Sequence, residues 1–86
     1  MELIIYGRDN CPYTEDAKTL AEMISEKDNH IRYRYYDWED MPKKHKFYIQ
    51  KRQHNTKPAI FIKPNKHTTI FVGGYKEFLT LHQQLT

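Results

Sequence analysis

The 86-residue sequence predicts an α/β fold: one four-stranded mixed sheet flanked by three helices, in the order β-α-β-α-β-β-α. Three observations carry this expectation. Short apolar or alternating runs take turns with segments of helical period. The opening β-α-β unit calls for a right-handed crossover between two parallel strands. Two later β-rich runs, separated by a short polar segment, read as a hairpin that adds antiparallel strands to the same sheet.

Leu3-Ile4-Ile5-Tyr6, closed by Gly7, is a continuous apolar run and reads as a fully buried strand. Pro12 suits the first position of a helix, where its missing N–H would be unpaired anyway. From Pro12 to about Lys27, Ala17, Leu20, Ala21 and Ile24 recur at helical spacing on one face. Glu15 and Asp16 complement the macrodipole in the first turn, and Asp28-Asn29 break the helix. Ile31 to Tyr35 alternates with period two, a half-buried strand, and Asp37 to Asp40 is an acidic turn. Pro42 opens a second helix to about Gln53, with Met41, His45, Tyr48, Ile49 and Arg52 on one side; residues 54–57 form a loop. Ala59 to Ile62 is an apolar strand ended by Pro64-Asn65, joined through Lys63–His67 to a second run, Thr68 to Val72. Gly73-Gly74 marks a sharp turn. Tyr75 to Leu85 closes the chain as a helix with Phe78, Leu81, His82 and Leu85 at helical spacing.

Length and composition bound the function. Residues 1–86 make one small domain with room for one modest core. Twelve aromatic residues argue against disorder. Cys11 is the only cysteine, which excludes an internal disulfide framework and a zinc site of several thiolates. The five histidines show no H-x-x-x-H spacing, so no metal is expected and surface or helix-packing roles are assigned to them. Trp38, Tyr33, Tyr35 and Met23 read as packing residues. No 18-residue apolar run spans a membrane, and the N-terminus lacks the pattern of a secretory signal. A cytoplasmic, reducing location and a monomer are the expectations.

Charge is segregated. Residues 1–40 hold ten acids and five Lys/Arg, whereas residues 41–76 hold nine Lys/Arg and no acid. A basic half invites an anionic partner. For Lys43, Lys44, Lys46, Lys51 and Arg52 the plain reading is a solvated helix face. No recognised nucleic-acid module is present, so a basic nucleic-acid-binding module ranks below that.

Cys11 stands at a strand-to-helix junction, where helix N-terminal amides favour an anion. A thiolate is the natural occupant, and Arg8 adds a positive charge nearby. An ordinary thiol is about 3% thiolate at pH 7. Lowering its pKa to about 5 raises that fraction roughly thirtyfold. Nucleophilicity falls meanwhile by about 25- to 55-fold, so attack gains little. Departure does gain, because a low-pKa thiol leaves faster. The placement therefore favours release of Cys11 from a mixed disulfide when a second thiol attacks.

These residues resemble a known family. Cys11-Pro12-Tyr13-Thr14 is similar to the C-P-Y-C site of glutaredoxins, with threonine in place of the second cysteine. Thr56-Lys57-Pro58-Ala59-Ile60-Phe61 resembles their T-V-P-x-I-F segment, where the proline is cis. Gly73-Gly74-Tyr75-Lys76-Glu77 resembles their G-G-Y-T-D segment, and Gly7-Arg8 matches the small bacterial type. The resemblance covers essentially the whole chain and implies the thioredoxin fold.

It also implies a glutathione-dependent thiol-disulfide oxidoreductase. Cys11 would be the nucleophile, with glutathione as co-substrate and glutathionylated or disulfide-containing proteins as partners. Arg8, Tyr13, Thr56, Lys57, Pro58, Gly74, Tyr75, Lys76 and Glu77 would form the glutathione site. The backbone of Lys57 would pair with the tripeptide like an added strand. Lys76 and Glu77 replace the Thr/Ser-Asp pair that holds the γ-glutamyl end. Arg52 and Lys44 are candidates for the glycyl carboxylate. Thr14 removes the resolving thiol. That closes the dithiol route, typical of reducing a protein disulfide such as that of ribonucleotide reductase, and leaves the monothiol route. An iron–sulfur carrier, with Cys11 and glutathione as ligands, is the family alternative; such members typically carry C-G-F-S, which this chain lacks.

Overall fold

The computed structural model describes residues 1–85, with side chains through Gln84. The elements are β1 (Glu2–Gly7), α1 (Pro12–Lys27), β2 (Arg32–Asp37), a 3-10 turn (Trp38–Asp40), α2 (Lys43–Lys51), β3 (Ala59–Asn65), β4 (Thr68–Gly73) and α3 (Tyr75–Leu85). The sheet order is β2-β1-β3-β4. β1 runs parallel to β2, with Ile5 beside Tyr35, and antiparallel to β3, with Ile5 beside Ile60. β3 and β4 form the expected hairpin.

β1 has neighbours on both edges and cover on both faces, which is why its apolar run is continuous rather than alternating. On one face Leu3, Ile5 and Ile60 pack with Ala17, Leu20 and Ala21 of α1 and with Phe78 of α3. On the other, Ile4, Tyr6, Ala59 and Phe61 pack with Met41 and with Ile49 of α2. Burying one such large side chain contributes about 1.5–3 kcal/mol. β2 is an edge strand, and its alternation puts Tyr33 and Tyr35 half-buried against the α1 side while Arg32 and Arg34 stay exposed.

Several local details differ from expectation. β2 starts one residue later than predicted and runs on to Asp37. β3 continues through Pro64 because a register irregularity between Ile62 and Asn65 relieves that proline of ladder bonding. The hairpin turn is tightened by the Asn65 side chain, whose Oδ1 accepts from the His67 N–H at 2.9 Å.

α2 is shorter than its predicted span. Pro42 is its N-cap, not its first residue, and Arg52 is its C-cap. Gln53 then adopts a left-handed φ of 56°. His54 N–H donates to the Ile49 carbonyl at 2.8 Å and Gln53 N–H to the Gln50 carbonyl at 3.0 Å. This is a Schellman stop with glutamine where glycine is usual. Of the side predicted to face inward, Met41 and Ile49 are buried and His45 is half-buried, but Tyr48 and Arg52 are exposed. Met23, expected to pack, lies instead on the exposed side of α1, 46% accessible, because Ala17, Leu20 and Ala21 already fill the inner face. The Leu85 side chain, placed on the α3 stripe by its spacing, lies outside the described residues. Among the described residues no helix is long and apolar enough to cross a membrane.

Candidate active site

The chain leaves β1 at Gly7, and Asn10 takes a left-handed φ of 66°, a conformation asparagine tolerates. That bend delivers Cys11 to the N-cap of α1, in extended backbone, with Pro12 starting the helix. Cys11 is half-buried and is the free thiol of the chain. Its sulfur makes no side-chain capping hydrogen bond, but the donors that would bond a thiolate stand beside it. Its pKa is nonetheless lowered. The largest cause is the Thr14 hydroxyl as hydrogen-bond partner, followed by the Thr14 backbone N–H; the Tyr13 N–H and the Lys57 charge also lower it, while burial opposes them.

Thr14 is fully buried, so its hydroxyl is fixed rather than rotating in solvent. Gly7 makes room for it: a Cβ there would lie 2.5 Å from Thr14 Oγ1. The cation that acts on Cys11 is Lys57, not Arg8. The Arg8 guanidinium is instead ion-paired with Glu39, both exposed. Lys57 carries its ammonium 4.7 Å from the centre of the Trp38 ring.

Beside Cys11 opens a cleft of about 550 Å³ lined by Tyr13, His54, Thr56, Lys57, Pro58, Gly74, Tyr75, Lys76 and Glu77. Three segments far apart in sequence supply it. Tyr13, 63% exposed, stacks on Tyr75 with ring centres 6.3 Å apart. The Lys57-Pro58 peptide bond is cis. Gly73 has φ 130°, and a Cβ there would sit 2.7 Å from Glu77 Oε1, so only glycine fits the turn into α3. Gly74 caps α3: its carbonyl accepts from Phe78 N–H at 3.0 Å. Its N–H donates to Glu77 Oε1 at 2.8 Å. Glu77 is thus half of a capping box, with one carboxylate oxygen committed to the helix start.

The residues named from sequence divide in two. Tyr13, Thr56, Lys57, Pro58, Gly74, Tyr75, Lys76 and Glu77 come together around the cleft. Arg8, Lys44 and Arg52 fall outside the lining residues; the latter two are exposed on α2 and at its C-cap. Sequence reasoning missed His54. Its Nε2 hydrogen-bonds the Pro58 carbonyl at 3.0 Å, its ring meets Phe71 edge-on at 5.3 Å, and it packs against Gly74. No periodicity marks it; the signal lies only in its place in the stop of α2, four residues before Pro58. A larger apolar groove of about 670 Å³ between β4 and α3 shares Lys76 and Glu77 with the cleft but is not lined by the thiol. No group of three His, Cys, Asp or Glu able to hold a metal occurs among the described residues.

No protein-family model matches the chain. Individual proteins do. Glutaredoxin 1 of Escherichia coli strain K12 is 34% identical over 80 residues, which span 91% of this chain and 88% of the relative. The solved structure of reduced Escherichia coli glutaredoxin superposes with a TM-score of 0.75 at 30% identity, over 98% of this chain and 95% of that one. Oxidised Escherichia coli glutaredoxin gives 0.72 at 31% identity, over 98% and 95%. The thioredoxin fold is therefore common to them and to this protein. With the thiol at a helix start beside the cis-proline cleft, and with these relatives, the chain belongs to the glutaredoxin family of glutathione-dependent thiol-disulfide oxidoreductases.

Proposed function

We propose that this glutaredoxin works by the monothiol route. The observation that carries the reading is the buried Thr14 hydroxyl beside Cys11, where the C-P-Y-C pattern has its second cysteine. The Cys11 thiolate attacks the glutathione sulfur of a mixed disulfide RS–SG. The old S–S bond breaks, RS⁻ leaves and takes a proton from water, and Cys11–S–S–G forms. A second glutathione thiolate then attacks the glutathionyl sulfur, giving glutathione disulfide and restoring the Cys11 thiolate. Thiol and disulfide electrons balance: RS–SG and one glutathione become RSH and glutathione disulfide. Because the lowered pKa makes Cys11 a good leaving group, the second step benefits most.

The cleft supplies the binding. The Lys57 backbone pairs with the cysteinyl unit of the tripeptide, Thr56 assists, and Tyr13 and Tyr75 wall its flank. The γ-glutamyl end meets the start of α3. There the Lys76 ammonium pairs with its carboxylate and the uncommitted Glu77 oxygen accepts from its ammonium. Arg8, Arg52 and Lys44 stand off the cleft and contribute only a field that draws the glycyl carboxylate.

The reading is tested by mass. Incubation with glutathione disulfide is expected to add one glutathionyl group at Cys11, and the adduct is expected to clear with reduced glutathione. Thr14→Cys is expected to convert that adduct to an internal disulfide. An unreactive Cys11 at pH 7, or an adduct that excess glutathione cannot clear, would contradict the monothiol route.

A further inference from the structure

The end of the sheet opposite Cys11 carries a second cationic cluster that the thiol chemistry does not use. The register puts Glu2 beside Arg32 on β2 and beside Lys63 on β3, so the three form one row across the sheet. Row partners point to the same face. Arg32 and Lys63 are two strand spacings apart, about 10 Å between Cα atoms. The acid between them is already committed: Glu2 Oε2 lies 3.2 Å from Arg34 Nε, one pair further along β2. Among the described residues, Arg32, Lys63 and Lys66 have no ion-pair partner.

These side chains border one open depression. His30, Arg32, Lys63, Asn65 and Lys66 with Glu2 line a cleft of about 310 Å³. Asn65 uses its Oδ1 in the hairpin turn, which leaves its amide NH₂ as a donor. The cluster connects to the basic helix: Lys63 and Lys44 are the charges that act on His45. Arg32, Lys63 and Lys66 together give this end of the sheet a positive field, which an anion bridging them would neutralise.

We infer that this cleft is a binding site for a ligand carrying two or more linked phosphate groups. One phosphate takes Arg32, whose planar fork suits its oxygens, and the next takes Lys63 and Lys66. β1 separates the two sites: its ends, Glu2 and Gly7, are about 17 Å apart, and Cys11 follows beyond Gly7. Linked phosphates occur in small polyphosphates, nucleoside triphosphates included, and in the backbone of a nucleic acid.

The test is an amide NMR titration of the full chain with inorganic tripolyphosphate at low salt. Saturable shifts are expected at Glu2, Arg32, Lys63 and Lys66 and none at Cys11 or Gly74. The double substitution Arg32→Gln with Lys63→Gln is expected to weaken binding by about tenfold or more. The exposed turn variant Lys66→Gln, which cannot disturb the core, is expected to weaken it by a smaller factor. Arg32→Lys with Lys63→Arg should retain binding. Turnover of a glutathionyl mixed disulfide should be the same in all of them. A ten-nucleotide thymidine strand distinguishes the sources. Displacement of tripolyphosphate, with affinity falling steeply in salt, identifies a nucleic-acid backbone; no displacement identifies a small polyphosphate. Absence of saturable shifts, shifts centred on Lys57 and Lys76, or undiminished affinity in the glutamine variants would overturn the site.

Discussion

At Cys11 the balance of thiol and thiolate is set by groups within one turn of α1 and by one distant lysine. Thr14 is the largest influence, ahead of Lys57. The shift is downward, so thiolate persists to lower pH than in an ordinary cysteine and is lost only as pH falls through the lowered value. The rate of alkylation by iodoacetamide against pH is therefore expected to show a midpoint below the ordinary thiol value of about 8.5. Thr14→Ser, which keeps the hydroxyl, should hold that midpoint low. Thr14→Val should raise it toward the ordinary value. Equal midpoints in the two variants would assign the shift to the helix start alone. Cys11 and Pro12 announce this site in the sequence because their logic is local. The role of Arg8 was not legible, since its partner Glu39 lies 31 positions away and only the fold joins them.

At the scale of elements, α2 is the piece the sequence describes least well. Its stop depends on Gln53 in a left-handed conformation, for which glycine or asparagine would have been the visible sign. The same stop delivers His54 to the Pro58 carbonyl, so an unreadable helix end and an unread cleft residue are one fact.

His45 docks α2 on the sheet. Its ring stacks on Phe61 at 4.6 Å and its Nδ1 lies 2.7 Å from the Tyr6 hydroxyl. Burial, then Lys44 and Lys63, lower its pKa. Burial, with Tyr36, pushes the Tyr6 phenol up to about 12, so the hydroxyl stays protonated in this pair. The folded state prefers neutral His45, while the unfolded chain takes up a proton near the ordinary value of about 6.5. Stability from this group is complete above that value and is lost as pH falls through it. The urea midpoint is expected to drop between pH 7.5 and 5.5, and His45→Gln to flatten that drop. An unchanged slope in the variant would place the titration elsewhere.

Across the whole molecule, element order and sheet class were legible because β1 and the start of β3 show as continuous apolar runs and α1 buries a face whose helical period shows in the chain. The cleft became legible only through resemblance, since Tyr13, Thr56–Pro58 and Gly74–Glu77 meet by topology, not by spacing. The basic stretch of residues 41–76 divides in the fold. Lys57 and Lys76 serve the thiol end, and Lys63 and Lys66 the opposite end.

One cysteine is enough for redox work when glutathione brings the second thiol. Steady-state turnover of a small glutathionyl mixed disulfide, with glutathione as reductant, tests that claim most directly. Turnover is expected to saturate in the mixed disulfide, to give parallel lines in double-reciprocal plots as a two-step exchange requires, and to vanish in Cys11→Ser. Turnover that survives Cys11→Ser, or none at all from a Cys11 that alkylates readily at pH 7, would contradict it.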